Sequence, residues 1–169
     1  MNSEQQARSI LDGAEYLYLR DISEPNDNSL RLVVEEARVN RSKIGKGLPL
    51  LDQFSEILKD AALIEATQGC RMIELRWDRY VAYLVTEEVA GSAGDPRDDD
   101  YIGNLLRVYS TSHFLDYLGG NTGGHVEPLT HYKVICLNHL IDVASYKPPE
   151  IRLLNGKSTV GSEPKVQVH

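Results

Sequence analysis

Cysteine is scarce in this chain. Cys70 and Cys136 stand alone, with no CxxC pair and no set of four or six, so a disulfide scaffold is not expected and both read as buried, reduced thiols. Long hydrophobic runs are missing as well. Nothing approaches the roughly 18 apolar residues that span a bilayer, and the opening MNSEQQARSI lacks the basic-then-apolar pattern of a secretion signal. The expectation is a cytoplasmic protein with no membrane partner. Positive charge is short: 18 Lys and Arg face 25 Asp and Glu, a net charge of -7. Such a surface repels a phosphate backbone, so nucleic acid is not an expected partner. The five histidines (113, 125, 131, 139 and 169) show neither HExxH nor HxxxH spacing, so no zinc site or other metal centre is proposed.

What is present is ordinary globular material. Hydrophobic residues make up 41% and charged residues 25% of 169 residues, enough for one domain burying about 70% of its unfolded surface. The expected boundaries are one globular domain over 1–154 and a flexible tail over 155–169, where apolar residues thin out. Ser3 with Gln6 resembles a capping box and Gly13 closes a short first helix. Tyr16 to Leu19 and LRLVVEEARV (30–39) read as strands joined through the turn-forming SEPNDN (23–28). Residues 40–49 read as an exposed loop. Leu51, Phe54, Ile57, Leu58 and Ala61 mark one face of a helix. IELRWDRYVAYLV (73–85) breaks at Asp78-Arg79 into two adjacent antiparallel strands. LLRVYS (105–110) is a short strand, after which Ser112 caps a helix that Gly119 ends. The fold class is therefore α+β, mainly antiparallel sheet in hairpins or a meander with two or three short helices.

The segment HYKVICLNHLIDVASYKPPEI (131–151) places His131, Asn138, His139 and Asp142 in the most apolar part of the chain. As one strand it separates His131 from His139 by about 26 Å at roughly 3.3 Å per residue and points His139 and Asp142 to opposite faces. As a hairpin turning near Asn138-His139 it again separates His139 from Asp142. Only a helix makes that pair neighbours, and Val134, Ile135, Ile141 and Val143 oppose a helix. A core sheet segment whose polar residues satisfy backbone groups or mark a turn is the preferred reading.

Other patterns fail on detail. Asp98, Asp100 and Gly103 echo a calcium loop, but Ile102 and Tyr109 occupy positions that need oxygen ligands. GKG (45–47) lacks the upstream glycine and the following hydroxyl of a phosphate-binding loop, and GGNTGG (119–124) lacks the dinucleotide spacing. Ser110, Ser112 and His113 sit in no GxSxG elbow. No catalytic residue and no cofactor is assigned.

One feature favours binding. Between residues 87 and 100, Glu87, Glu88, Asp95, Asp98, Asp99 and Asp100 stand against a single base, Arg97, a field that a basic partner would feel. Trp77 and Tyr80 lie just upstream as candidate aromatic anchors.

The runs WDRYVAY (77–83), SHFLDYL (112–118) and HYKVICLNHLIDV (131–143) with Pro149-Glu150-Ile151 resemble a family of small acidic bacterial proteins similar to the immunity proteins of polymorphic and contact-dependent toxin systems. The resemblance covers about residues 15–154. It implies a protein that neutralises a cognate toxin; with the clustered acidity and the lack of a catalytic constellation, the expectation is a non-catalytic binder of a basic toxin such as a nuclease, contacted by the carboxylates of 87–100 with Trp77 and Tyr80. The alternative is a small-molecule enzyme or ligand-binding module with a pocket near His131, His139 and Asp142. A homo-oligomer joined through sheet edges is the third reading.

Overall fold

A computed structural model describes residues 3–40, 63–89, 100–121 and 128–154. The helix expected over 51–61, the loop of 41–49, nine of the ten residues of the acidic segment 91–100 and the tail lie outside the described residues. Among the described residues the architecture is α+β: ten strands in two antiparallel sheets, with two helices.

Helix α1 (Ser3–Asp12) ends one residue before Gly13. Strands β1 (Tyr16–Ser23) and β2 (Leu30–Asn40) then pair antiparallel as the expected hairpin. At its tip the Ser29 amide donates to the Asn26 carbonyl at 3.0 Å. Asn28 takes φ 58°, a left-handed conformation that asparagine tolerates better than most residues. Strands β3 (Leu63–Glu65), β4 (Met72–Trp77) and β10 (Glu150–Leu154) complete the first sheet in the order β1-β2-β4-β10, with β3 also on β2.

The second sheet comprises β5 (Tyr80–Glu87), β6 (Tyr101–Ile102), β7 (Leu106–Tyr109), β8 (Thr130–Ile135) and β9 (His139–Ser145), in the order β5-β9-β8-β7-β6. Residues 73–85 thus form two strands, but not a pair. Asp78-Arg79 passes the chain from the first sheet to the second, where β5 pairs with β9 while β4 pairs with β2 and β10. A sequence break marks where a strand stops; it does not say which sheet the next strand joins. Helix α2 (His113–Asn121) begins at the expected cap. The Leu115 amide donates to Ser112 Oγ at 3.2 Å and the Asp116 amide to the Ser112 carbonyl at 3.0 Å. It runs through Gly119 instead of ending there, and the Asn121 amide group donates to the Tyr117 carbonyl at 2.7 Å in the last turn. A glycine costs a helix interior only about 1 kcal/mol, which is too little to end one alone.

The two sheets share one core. Leu17, Leu32, Ile73, Leu75 and Trp77 of the first meet Tyr132, Val134, Ile141 and Val143 of the second. Trp77 is only 1% exposed and its ring lies 6.0 Å from that of Tyr132. The segment 131–145 resolves into the hairpin β8–β9, whose turn residues Cys136 to Asn138 lock onto β1. The Leu137 amide donates to the Leu17 carbonyl at 2.8 Å. Asn138 accepts from the Leu19 amide at 2.9 Å and donates to the Leu19 carbonyl at 3.1 Å. It does so beside the irregularity between Leu19 and Asp21, where backbone groups lose their regular ladder partners.

Buried carboxylates brace the first sheet. Glu36, 1% exposed, receives Arg71 through its backbone amide at 3.0 Å, its Nε at 2.7 Å and its Nη2. That guanidinium also donates to the Ile10 carbonyl at 2.7 Å, in the last turn of α1. Glu74 is held between Arg31 at 2.5 Å and Arg152 at 2.7 Å. Burial by itself would push both carboxyls up, but the hydrogen bonds and charges of these arginines outweigh it and hold both below the ordinary value of 4.5. Each therefore binds a proton more readily in the unfolded chain. The stability they contribute is complete above the unfolded value and is lost as pH falls through the folded ones. The urea midpoint is expected to drop steeply between pH 5 and pH 3, and less steeply in Glu36→Gln and Glu74→Gln; equal slopes in all three proteins would contradict this.

Candidate functional site

Hairpin register determines which polar residues meet. Pairing of His131 with Ala144 and of Lys133 with Asp142 puts His131, Lys133 and Asp142 on one face of the second sheet, with Tyr109 opposite His131 and Arg107 opposite Lys133. That face is turned away from Trp77. His131 Nε2 lies 2.7 Å from Asp142 Oδ1, and its Nδ1 lies 2.9 Å from Ser112 Oγ. With Nε2–H donating to the carboxylate and the serine hydroxyl donating to Nδ1, the Leu115 amide completes the chain and every polar atom has its complement.

The residue types are those of a hydrolase triad, yet the setting is structural. Ser112, His131 and Asp142 are 3%, 2% and 7% exposed. The imidazole stacks on Tyr109 with centroids 4.4 Å apart and meets Phe114 at a 59° tilt at 5.1 Å. The serine oxygen is already committed to capping α2. A nucleophile must reach a substrate carbonyl, and Ser112 is buried at 3% exposure. The network pins the start of α2 to the sheet.

His131, His139 and Asp142, expected together at one pocket, do not share a face. His139 opens β9 next to Glu87 in register and falls on the opposite face from Asp142. The three do not converge. Among the described residues no group of three or more His, Cys, Asp and Glu side chains is placed to hold a metal ion, and no helix is long and apolar enough to cross a membrane.

A cleft of about 450 Å³ does open nearby, beside Lys133, whose Nζ is 3.4 Å from Asp142 Oδ1. It is lined by the apolar Ile135, Leu137 and Leu140, among others, and by Glu15, Glu88, Arg107 and Lys133. Gly103, at φ 97°, makes the tight turn that brings Asn104 and Leu105 to this cleft; a Cβ there would lie 2.2 Å from the Leu106 carbonyl oxygen. Cys136 also lines the cleft, but burial pushes its thiol up to about 12. It stays protonated at neutral pH and is no nucleophile.

The carboxylates singled out from the sequence do not all gather. Glu87 ends β5 and Glu88 follows it, whereas Asp100 precedes β6 at the opposite edge of the sheet, with three strands between, about 19 Å across the strands at the usual spacing, and the pairing register sets it level with the other end of β5. Asp95, Asp98 and Asp99 lie outside the described residues. Trp77 is a correction: it fills the core and presents no surface to a partner. Tyr80 is half-buried, packed against the core and edge-on to Tyr83 at 5.1 Å. Burial and the neighbouring Glu24 carboxylate raise its phenol to about 12.

Sequence reasoning did not single out the edge of β5. Among the described residues this strand pairs only with β9. After an irregularity between Tyr80 and Ala82 it runs in regular register from Ala82 to Glu87. Along and just beyond it, Leu84 is 51%, Val85 37% and Val89 73% exposed. The signal was present in YLVTEEV, where three apolar residues share a short run with two glutamates. No family model, curated protein or solved structure matches the chain.

Proposed function

We propose that this chain is a non-catalytic binding protein that docks a basic protein partner along β5, in the manner of an immunity protein occluding its toxin. The observation that supports it best is the edge itself. Soluble proteins guard open strand edges with charge, bulges or covering segments. Here exposed Leu84, Val85 and Val89 stand along and just beyond a strand edge that has no partner among the described residues, with Glu87 and Glu88 at the strand's end. Such an edge suits strand addition, in which main-chain hydrogen bonds give affinity. The two glutamates would steer a basic partner and fix its register. A second copy of this chain, carrying the same charge of -7, is a poorer occupant than a cation-rich protein.

The toxin-neutralising form of this reading rests on the motif resemblance together with the acidity. Mixing the protein with the toxin domain encoded beside its gene is expected to give a 1:1 complex and loss of toxin activity. Double reversal, Glu87→Lys with Glu88→Lys, should weaken the complex at least about tenfold and flatten its salt dependence. Absence of a complex at micromolar concentration would remove the reading.

A further inference from the structure

Three side chains meet at the start of β5. In a regular strand, residues 80 and 83 point to opposite faces. The irregularity between Tyr80 and Ala82 reverses that: Tyr80 pairs with Ser145 and Tyr83 with Val143, so the two rings share a face, 5.1 Å apart and 79° from parallel. Bulges at sheet edges re-aim side chains in this way. The rings make two walls of a corner, and a carboxylate stands at it. The Tyr83 hydroxyl donates to Glu24 Oε1 at 3.0 Å, and burial and then the same carboxylate raise the Tyr80 phenol. Glu24 belongs to the β1–β2 turn, which the Tyr80 amide fastens by donating to the Asn28 carbonyl at 2.9 Å. It is exposed, and among the described residues no Lys or Arg forms an ion pair with it. Arg79, next to Tyr80, lies over the Tyr146 ring, 5.1 Å from its centroid.

Val85 and Glu87 follow Tyr83 on the same face at two-residue steps. That face presents an aromatic corner with an acid, then an apolar side chain, then a second acid. We infer that the corner of Tyr80, Tyr83 and Glu24 seats a lysine side chain of the partner, and that β5 selects an extended segment with two cations four residues apart around an apolar residue. The inference rests on docking along β5 and names what that edge recognises. Tyrosine faces attract an ammonium group, and Glu24 supplies its counter-charge. An added strand places alternate side chains on this face. One cation then reaches the corner, the apolar residue meets Val85 and the second cation meets Glu87, whichever way the segment runs.

Titration with the peptide acetyl-KTVTK-amide, followed by NMR of the Tyr80 and Tyr83 rings and of the Ala82 to Glu87 amides, tests this. The same peptide with norleucine in place of both lysines is the control. The amides report docking along β5 and the rings report the corner. The lysine peptide is expected to move both saturably and to bind at least about tenfold more tightly than the control. Glu24→Gln keeps an acceptor for the phenols but removes the charge. It should weaken the lysine peptide about fivefold and leave the norleucine peptide unchanged. Tyr83→Leu, with the fold checked by circular dichroism, should act in the same direction. Amides that move without the rings, or a Glu24→Gln protein that binds the lysine peptide as the unaltered protein does, would overturn the corner and leave docking along β5 standing. Rings that move without the amides, with the preference for lysine intact, would support the corner and count against that docking. If neither moves at about 5 mM, well above a millimolar Kd, the inference is overturned and docking is judged by the toxin complex alone.

Discussion

Asp142→Ala is expected to cost about 3–5 kcal/mol, the range seen when one partner of a buried charged pair is removed. The carboxylate serves two neighbours at once: His131 Nε2 at 2.7 Å and Lys133 Nζ at 3.4 Å. Its loss leaves an imidazole nitrogen 2% exposed to solvent with no acceptor and an ammonium group without its counter-charge. Through His131 the damage reaches Ser112 and the first turn of α2. Ser112→Ala removes a cap and should cost less, about 1 kcal/mol. Since a domain's whole stability is only about 5–15 kcal/mol, the alanine variant should unfold at a markedly lower urea concentration. A shift below about 1 kcal/mol would show that the network is not what holds α2 to the sheet.

Trp77→Ala should be as damaging, again about 3–5 kcal/mol, because a large side chain between two sheets leaves a cavity they cannot close. Trp77 packs on Tyr132 from the other sheet, so both layers lose contacts. Trp77→Phe keeps most of the volume and should fold with a smaller loss. The decisive comparison is with partner binding. A surface anchor replaced by phenylalanine would weaken a complex, whereas a core residue so replaced should leave the affinity of the folded fraction unchanged. Urea unfolding and titration of the same samples separate the two.

How much could be read beforehand differs by element. The β1–β2 hairpin was legible because SEPNDN lies between two runs of strand formers, a local signal. The cap of α2 was legible for the same reason: Ser112 precedes an apolar helix face. Partner choice among strands was not local. The Asp78-Arg79 break looks the same whether β5 folds back on β4 or crosses to β9. The His131–Asp142 contact depends on hairpin register, which puts residues 11 apart in diagonal contact; reasoning confined to His139 and Asp142 passed over it. Glu87, Glu88 and Asp100 are near in sequence but apart in space, because they belong to the two opposite edge strands of the second sheet with β9, β8 and β7 between. Trp77 offered no clue to its burial beyond its place in the alternation Ile73, Leu75, Trp77, and that alternation was the better guide.

The central claim is that a partner's segment lies along β5. Amide hydrogen exchange of the protein alone and with the proposed basic partner tests it most directly, because strand addition hydrogen-bonds amides that have no strand partner among the described residues. Slowed exchange concentrated in Ala82 to Glu87, with the first sheet unchanged, is the expected result. Protection confined to β10 or to α2, with β5 exchanging as before, would contradict the account.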